Sequence, residues 1–216
     1  MTDFLIRQDH KKLEIKSKEK IIGFLSSQQT GRIASIDKNG FPQIIPMNFV
    51  FINDVIYLHS HIRGEKLDSI RRNKKVGFEV DKSLEFLPSY FSDPTDASLA
   101  DTLYISVVIK GNASIVLDKK EKTNALNGLM KKYQPEGGYE PIKPDMDVLK
   151  EVEVIKITPE SLRGKYKIGQ NMDMKSRIDL ARQILERNSA TAKETLDIMG
   201  FKIVDNKLKL VNAVPW

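Results

Sequence analysis

Cysteine is absent from this chain of 216 residues, and its absence removes several kinds of chemistry. Without cysteine there is no disulfide, no thiolate metal site and no cysteine nucleophile. Any redox chemistry must therefore come from a bound cofactor. Long apolar runs are also lacking: no stretch approaches the ~20 apolar residues of a membrane span, and residues 1–20 lack the apolar core of a secretory signal. We therefore expect a cytoplasmic protein with no membrane partner.

Two nucleotide-binding motifs are missing as well. The sequence contains neither Gly-x-Gly-x-x-Gly nor Gly-x-x-x-x-Gly-Lys-[Ser/Thr], so dinucleotide and nucleoside triphosphate sites lose their usual support. The net charge of +6 fits an anionic ligand or a nucleic-acid surface, but charge alone describes solubility and partners, not mechanism. The two predicted C-terminal helices do not resemble a DNA-reading helix with an arginine-rich face, so nucleic acid is not an expected partner.

One segment, residues 42–79, has the composition of a phosphate site. An apolar strand ends in His59-Ser60-His61, and the chain then turns through Arg63, Gly64 and Lys66 into a helix. A hydroxyl group, cationic side chains and the N–H groups of a helix N-terminus are all anion ligands. The segment therefore predicts a bound phosphate. The later cations of this segment are interpreted as a solvated helix face: Arg71, Arg72, Lys74 and Lys75.

The histidine pair admits other interpretations. His59 and His61 are two residues apart in a strand, so they point to one face, which is also the geometry of a metal pair. The remaining histidine, His10, lies in a polar stretch, and no carboxylate cluster converges in sequence. We therefore expect no metal site. His59 is either hydrogen-bonded at a strand end or placed beside a bound ligand.

Hydrophobic periodicity and turn signals predict mainly β structure with inserted helices, an α+β protein built on a small antiparallel β-barrel. The predicted helices are 18–28, 65–72, 118–133, 174–187 and 190–199, and the predicted strands are 32–37, 41–52, 55–61, 76–80, 103–117 and 152–157. Asn53-Asp54 should form the turn between the second and third strands, and Asp118 with Glu121 should form a capping box at the start of the 118–133 helix. Pro46 should make the second strand irregular, and Gly111 should mark a bulge or a strand pair. Residues 81–102 lose periodicity and predict a long loop.

The order and spacing of several segments resemble one family. IPMNFV, IYLHSH, GEKLDSIRRN and ISVVIKGNASIV resemble the FMN-binding split-barrel superfamily, which includes pyridoxamine 5'-phosphate oxidase, and most closely its nitroimidazole-resistance branch. The resemblance covers residues 1–160 and implies an antiparallel split β-barrel with peripheral helices. Residues 161–216 would then be a C-terminal helical extension that packs on the barrel or the dimer interface.

The resemblance also implies a site for FMN between two subunits of a homodimer. Glu65 stands where the oxidases usually carry a cation, which leaves Arg63 or His61 as possible substitutes. Ser106 would reach the flavin across the dimer interface. The other implied contacts are Ile45, Pro46, Met47 and Asn48 along the flavin ring, His59 and Ser60 by the ribityl-phosphate, and Gly64, Glu65 and Lys66 in the phosphate turn.

A second, shorter resemblance lies near the end of the chain. The segment LRGKYKIGQNMDMKSRIDLARQILERN resembles the Lys-x-x-Gln-Asn region of FMN-binding negative transcriptional regulators. It implies that Lys165, Gln170 and Asn171, together with Tyr166 and Lys167, lie against the partner's flavin. The alternative is a basic strand end that leads into a surface helix. The apolar stripes of the following helices predict packing and not chemistry.

Three functions follow from these patterns. The first is an FMN-dependent oxidoreductase that transfers electrons from a reduced nicotinamide to a small acceptor such as a nitroaromatic or a quinone, with His59 as its catalytic candidate. The second is a non-catalytic FMN-binding regulator or sensor. The third is a pocket for another phosphate-bearing ligand, such as pyridoxal phosphate or a deazaflavin. Oxidation of pyridoxamine phosphate itself is not favoured, because the arginine-rich C-terminal substrate motif is not apparent.

Overall fold

The computed structural model describes residues 13–205 and 207–211, which divide into two compact units. The sheet unit comprises residues 18–80 and 107–163, and the extension unit comprises residues 13–17, 81–106, 164–205 and 207–211. The predicted boundary after residue 160 stays a prediction. None of the helices in these ranges has the length and the apolar character that crossing a membrane requires. The cytoplasmic location also stays a prediction.

The described residues contain five helices and ten strands. The helices are α1 (Lys18–Ser27), α2 (Glu65–Arg72), α3 (Lys119–Tyr133), α4 (Met174–Arg187) and α5 (Ala192–Ile198). The strands are β1 (Glu14–Ile15), β2 (Gly31–Ile36), β3 (Pro42–Met47), β4 (Phe49–Ile52), β5 (Val55–His61), β6 (Lys75–Leu87), β7 (Asp101–Ile115), β8 (Val152–Lys167), β9 (Phe201–Val204) and β10 (Lys207–Leu210). Short 3₁₀ turns lie at Ser89–Phe91, Ala97–Leu99 and Asp147–Lys150.

The main sheet has the strand order β3-β2-β6-β7-β8-β5-β4, and β1 pairs with β8 outside this path. The pairings of β2 with β3 and β6, of β4 with β5, and of β5 with β8 are antiparallel. β3 and β4 follow each other in sequence, with only Asn48 between them, yet they stand at opposite ends of the strand order. The predicted fold class, antiparallel β structure with peripheral helices, is confirmed.

Several local predictions are confirmed with their physical causes. Asn53 and Asp54 have φ angles of 51° and 65°, the left-handed pair that a two-residue hairpin needs between β4 and β5. At the start of α3, the Asp118 carboxylate accepts the N–H of Glu121 at 2.7 Å. The Glu121 carboxylate does not return to the cap but accepts the Tyr57 hydroxyl at 2.9 Å. Only half of a capping box forms.

The irregular stretch expected near Pro46 falls two residues later. Pro46 pairs in register with Arg32, and the strand ends after Met47. β3 is at the end of the sheet order, and an edge strand tolerates a residue without an N–H group. The break at Asn48 is instead the point where the chain leaves one edge of the sheet for the other.

The predicted long loop over residues 81–102 was wrong in its first part, because β6 continues to Leu87. Buried positions alternate regularly as far as Val80, but Leu84 and Glu85 are buried consecutively before Leu87 resumes the alternation. The buried positions thus change from even-numbered to odd-numbered residues. This change interrupts the alternation by which a strand is identified from sequence. Two short 3₁₀ turns occupy much of the remaining segment before β7.

β8 is longer than the sequence predicted, whereas β7 has the predicted length but begins and ends two residues earlier. The strand pair, one of the two alternatives expected at Gly111, is absent: β7 is a single strand of 15 residues in which Gly111 is buried. A Cβ atom on Gly111 would lie 2.4 Å from the carbonyl oxygen of Thr158, so the close approach of two backbones explains the glycine. β8 continues beyond Ile157, through Pro159, to Lys167. The C-terminal hairpin of β9 and β10 was not predicted.

A buried carboxylate connects β6 with the helical segment inside the extension unit. Glu85 is 1% exposed. It accepts Arg187 Nη1 at 2.9 Å, Ser189 Oγ at 2.5 Å and Thr191 Oγ1 at 2.7 Å. A buried charge is tolerated when its hydrogen-bonding capacity is met in this way. The residues between α4 and α5 are therefore held on β6 by charge-assisted hydrogen bonds.

We predict that Gly111→Ala destabilises the protein by about 1–3 kcal/mol, because the added methyl group meets backbone atoms that must move. Gly23→Ala is the matched control: Gly23 is an exposed helical residue with no atom within 4 Å of the added Cβ, and the change should stabilise by ~0.5–1 kcal/mol. Urea denaturation of both variants measures the difference. Equal stability of the two variants would contradict this account of Gly111.

Candidate functional site

The first turn of α2 lies against one face of β3. Along β3, Gln43, Ile45 and Met47 are partly buried while the alternate residues are exposed, as expected when successive side chains point to opposite faces. Two of the partly buried side chains contact α2. Gln43 Nε2 donates to Glu65 Oε2 at 2.9 Å, and Lys66 Nζ donates to Met47 Sδ at 3.1 Å.

Lys66 is a partly buried cation with a weak partner. Within residues 13–205 and 207–211, the Met47 thioether is its one hydrogen-bond acceptor, and thioether sulfur is a poor acceptor. Burial lowers the pKa of Lys66 below its ordinary value, because the charged form loses hydration. This ammonium group has lost water without gaining a strong acceptor. The binding of an anion to it is therefore favourable, because the anion replaces the lost hydration.

The N-terminus of α2 adds backbone donors to this cation. The residue before the helix, Gly64, has φ 151° and ψ 151°, and no side chain caps the first turn. Gly64 is exposed, and open space surrounds the position of a Cβ atom. The positive end of the helix and its first amide groups are therefore not occupied by a capping side chain. Together with Lys66 they form the candidate site for an anion, called the anion site below.

Gln43 was not identified from the sequence, although it belongs to this group. Its Oε1 atom is buried and has no hydrogen-bond partner among the described residues. A buried acceptor without a donor costs free energy, so it suits a ligand that carries an O–H or N–H group. The available signal was the period of two that places Gln43 on the same face as Met47.

The end of β5 presents its residues to opposite sides. His59 and His61 are exposed on one face, whereas Ser60 points to the face that carries the buried Ile56 and Leu58. The N–H of Arg63 donates to His61 Nδ1 at 3.3 Å, which folds the loop before α2 back on the strand end. His59 and Ser60 therefore do not share one side of the strand. The Arg63 side chain is exposed.

No cluster of three or more metal-ligating side chains is found in the part of the chain that the structure describes. His59 and His61 share a strand face, as predicted, without a third ligand beside them. His10 lies outside the described residues.

The chain passes from β3 at one edge of the sheet to β4 at the other through Asn48, and we call this connection the Asn48 crossover. Two residues at the end of α3 hold it in place, and neither was predicted from the sequence. The Tyr133 hydroxyl accepts the N–H of Phe49 at 2.8 Å and lies 2.6 Å from the carbonyl oxygen of Gln29 and 3.1 Å from that of Phe49. Lys132 Nζ donates to the carbonyl oxygen of Leu25 at 3.1 Å and lies 3.6 Å from the centroid of the Phe49 ring. We call Lys132 and Tyr133 the crossover clamp.

The other predicted contacts belong to the extension unit. Ser106 is partly buried and alternates in β7 with the fully buried Ile105 and Val107. Lys165 lies opposite Glu14 in the pairing of β8 with β1. Gln170 donates to the carbonyl oxygen of Tyr166 at 2.9 Å and accepts the N–H of Ile168 at 3.0 Å, and Asn171 is exposed. The amide of Gln170 thus stabilises the turn after β8.

The extension unit also contains a cleft of about 450 Å³ with mostly apolar walls. Arg182 contributes to the cleft but pairs with Asp179 at 3.1 Å. None of the site residues predicted from the sequence lines it. The lining residues are Ile178, Arg182, Leu185, Phe201, Lys207, Leu208 and Leu210.

Comparison with known proteins identifies the family of the chain. The family model for pyridoxamine 5'-phosphate oxidase matches residues 17–166, which include the whole anion site and the crossover clamp. The chain belongs to the pyridoxamine 5'-phosphate oxidase family. The resemblance predicted from the sequence is therefore confirmed. No functionally curated protein matches the sequence.

Solved structures of other proteins resemble this member of the family, among them the following three. A structure assigned as a 5-nitroimidazole antibiotic resistance protein of Bacteroides thetaiotaomicron has a TM-score of 0.60 at 23% identity, over 71% of this chain and 86% of its own. A flavocytochrome of Azotobacter vinelandii has a TM-score of 0.63 at 17% identity, over 74% and 72%. An FAD and heme binding protein of Mycobacterium smegmatis has a TM-score of 0.62 at 14% identity, over 77% and 79%. At these identities the likeness shows the fold, a split barrel.

We predict that the free energy of unfolding rises between pH 8 and about pH 10. Burial lowers the pKa of Lys132 from 10.5 to about 8, so in this window the unfolded chain binds more protons than the folded protein and stability increases with pH. Above pH 10.0 the trend reverses, since burial first, and then the Glu121 carboxylate, raises the pKa of Tyr57 from 10.0 to about 12.

Urea denaturation at pH 8 and about pH 10 measures this effect. Lys132→Met is the matched control, because it removes the titrating group and retains an apolar stem beside Phe49. The variant should show a smaller rise in stability than the wild type. The same rise in both proteins would assign the effect to other groups.

Proposed function

We propose that the protein binds FMN at the anion site of the sheet unit and acts as an FMN-dependent oxidoreductase. The observation that carries this proposal is the pair of unsatisfied groups on neighbouring elements. Among the described residues, the ammonium of Lys66 has a thioether as its acceptor, and Gln43 Oε1 has no donor. A ligand with both an anionic group and hydrogen-bond donors satisfies the two together.

FMN has the chemical groups that these residues require. Its phosphate is a dianion, which suits Lys66 and the uncapped N-terminus of α2. Its ribityl hydroxyls and ring imide are donors, which suit Gln43 Oε1. The ring also presents a large apolar face, for which Ile45 and Met47, partly buried beside Gln43, form a suitable surface.

Similar proteins support a flavin in this family. The names of two of the solved structures describe a flavocytochrome and a protein that binds FAD and heme. A third is assigned to nitroimidazole resistance, which is consistent with a small nitroaromatic acceptor. For this chain we propose FMN in preference to FAD, because the α2 anion site suits one terminal phosphate. The proposed electron donor is a reduced nicotinamide.

When bound, the flavin would supply the electron-transfer chemistry, and the residues of the chain would bind it, orient it and exclude water. We further propose a homodimer in which Ser106, Lys165, Gln170 and Asn171 approach the flavin of the other subunit. His59 would position the electron acceptor on the exposed face of β5. No residue is assigned as a general base.

The proposal is tested by titrating cofactor-stripped protein with FMN and, separately, with FAD, while flavin fluorescence is followed. Oxidation of NADH and NADPH is then measured on the loaded protein with nitroaromatic and quinone acceptors. Stoichiometric FMN binding with turnover is the expected result. Binding without turnover would favour the alternative, a flavin-binding regulator or sensor. Failure to bind FMN would overturn the assignment, and competition by pyridoxal phosphate or a deazaflavin would redirect it.

We predict that Lys66→Met weakens FMN binding roughly ten- to a hundredfold, since a charge-assisted hydrogen bond contributes about 1.5–3 kcal/mol. Lys74→Met is the control: Lys74 is exposed, lies just beyond α2 and changes the net charge equally. Its effect on the dissociation constant should be less than about twofold, because exposed charges are screened by salt. Equal losses in both variants would show a general electrostatic effect and would remove Lys66 from the site.

A further inference from the structure

The Asn48 crossover creates a problem of hydrogen bonding at the start of β4. Phe49 is fully buried, and its N–H follows directly on the residue at which the chain changes sheet edge. A buried backbone N–H without a partner costs free energy, so this group needs an acceptor outside the regular ladder. The Tyr133 hydroxyl supplies it at 2.8 Å.

The rest of the crossover clamp restrains the same residue from a second side. Lys132 lies over the Phe49 ring, and it also donates to a carbonyl group in the last turn of α1. The ring of Phe49 in turn meets the ring of Phe78 edge to face, with 5.2 Å between the centroids. Backbone and side chain of Phe49 are therefore fixed independently, by a hydroxyl and by a cation.

This restraint acts close to the proposed flavin contacts. Asn48 and Met47 are joined to Phe49 by consecutive peptide bonds, and Met47 is the acceptor for Lys66. Each peptide unit is planar, so only two torsions per residue can absorb a displacement of Phe49. With one residue between Phe49 and Met47, we expect such a displacement to move both neighbours. The clamp can thus set the position of the segment Ile45–Asn48 without contacting a ligand.

We propose that Tyr133, assisted by Lys132, is a positioning residue for flavin binding: it anchors Phe49 and thereby holds Ile45–Asn48 against the flavin ring. This inference rests on the proposed function. It differs from a purely structural role, which would change the stability of the protein and leave the affinity for FMN unaltered.

The experiment compares Tyr133→Phe with Tyr57→Phe. Both variants remove one hydrogen-bonded hydroxyl from a partly buried tyrosine of the sheet unit, but the Tyr57 hydroxyl binds Glu121 instead of the crossover. FMN affinity, the absorption spectrum of bound FMN and the melting temperature are measured for each, and amide exchange at Phe49 and Val50 is measured on ligand-free protein.

We expect Tyr133→Phe to weaken FMN binding roughly tenfold, the effect of one net hydrogen bond of about 1.5 kcal/mol, and to shift the flavin spectrum. It should also speed amide exchange at Phe49. Tyr57→Phe should lower the melting temperature without these changes. If Tyr133→Phe does not fold, Lys132→Met leaves the hydroxyl in place and should still weaken FMN binding relative to Tyr57→Phe.

The outcomes separate this inference from the proposed function. If wild-type protein binds FMN and both tyrosine variants bind it equally well, the positioning role is overturned while the proposed function stands. The positioning role is also overturned if amide exchange at Phe49 is unchanged in Tyr133→Phe. If the wild type binds no FMN, both proposals fail, and the loss of the first is visible in the titration of the wild type alone.

Discussion

The fold depends on one constraint: two consecutive strands, separated by a single residue, belong to opposite edges of the same sheet. β3 ends at Met47 beside the first turn of α2, and β4 begins at Phe49 beside the last turn of α3. A connection of one residue cannot adjust to a displacement of either strand end. The helices α2 and α3 therefore fix the two strand ends. The anion site lies at the α2 contact and the crossover clamp at the α3 contact, so both depend on this one-residue connection.

Two partly buried lysines near this passage show how a chain can use a desolvated cation in different ways. Burial lowers the pKa of both Lys66 and Lys132. The ammonium of Lys132 has a backbone carbonyl group and an aromatic face as partners, which offset only part of its lost hydration. The acceptor of Lys66, within the described residues, is a thioether. Lys132 is thus suited to holding structure, and Lys66 to holding a ligand.

The sequence predicted well those features that depend on local chemistry. The Asn53-Asp54 turn, the bounds of α2 and the Asp118 cap each follow from a few adjacent residues, and each is present. Features that depend on distant partners were missed. Gly111 looked like a break because the Thr158 backbone that explains it lies far along the chain, and β6 was shortened because consecutive burial of Leu84 and Glu85 disturbs the alternation.

The same distinction applies to the candidate site. Lys66 could be singled out because it follows Gly64 at a helix start, a pattern contained in one short segment. Gln43, Lys132 and Tyr133 could not, because their roles depend on contacts with Glu65, Leu25 and Phe49 that only the folded chain creates. Exposed polar residues on strands and helix ends are common, so their residue types alone carry little functional information.

The acidic residue in the predicted phosphate turn bears on which substrates the site can accept. Glu65 would repel a dianion, but its carboxylate accepts from Gln43 on the β3 side of the helix start. The backbone donors of the first turn and Lys66 are then left to attract the anion. A group of donors this small suits one phosphate, which in the proposed function is that of FMN. A substrate with a phosphate of its own would need a second set of cations, and a small uncharged acceptor would not. For this reason the proposed reaction is reduction of a nitroaromatic or quinone and not oxidation of a phosphorylated amine.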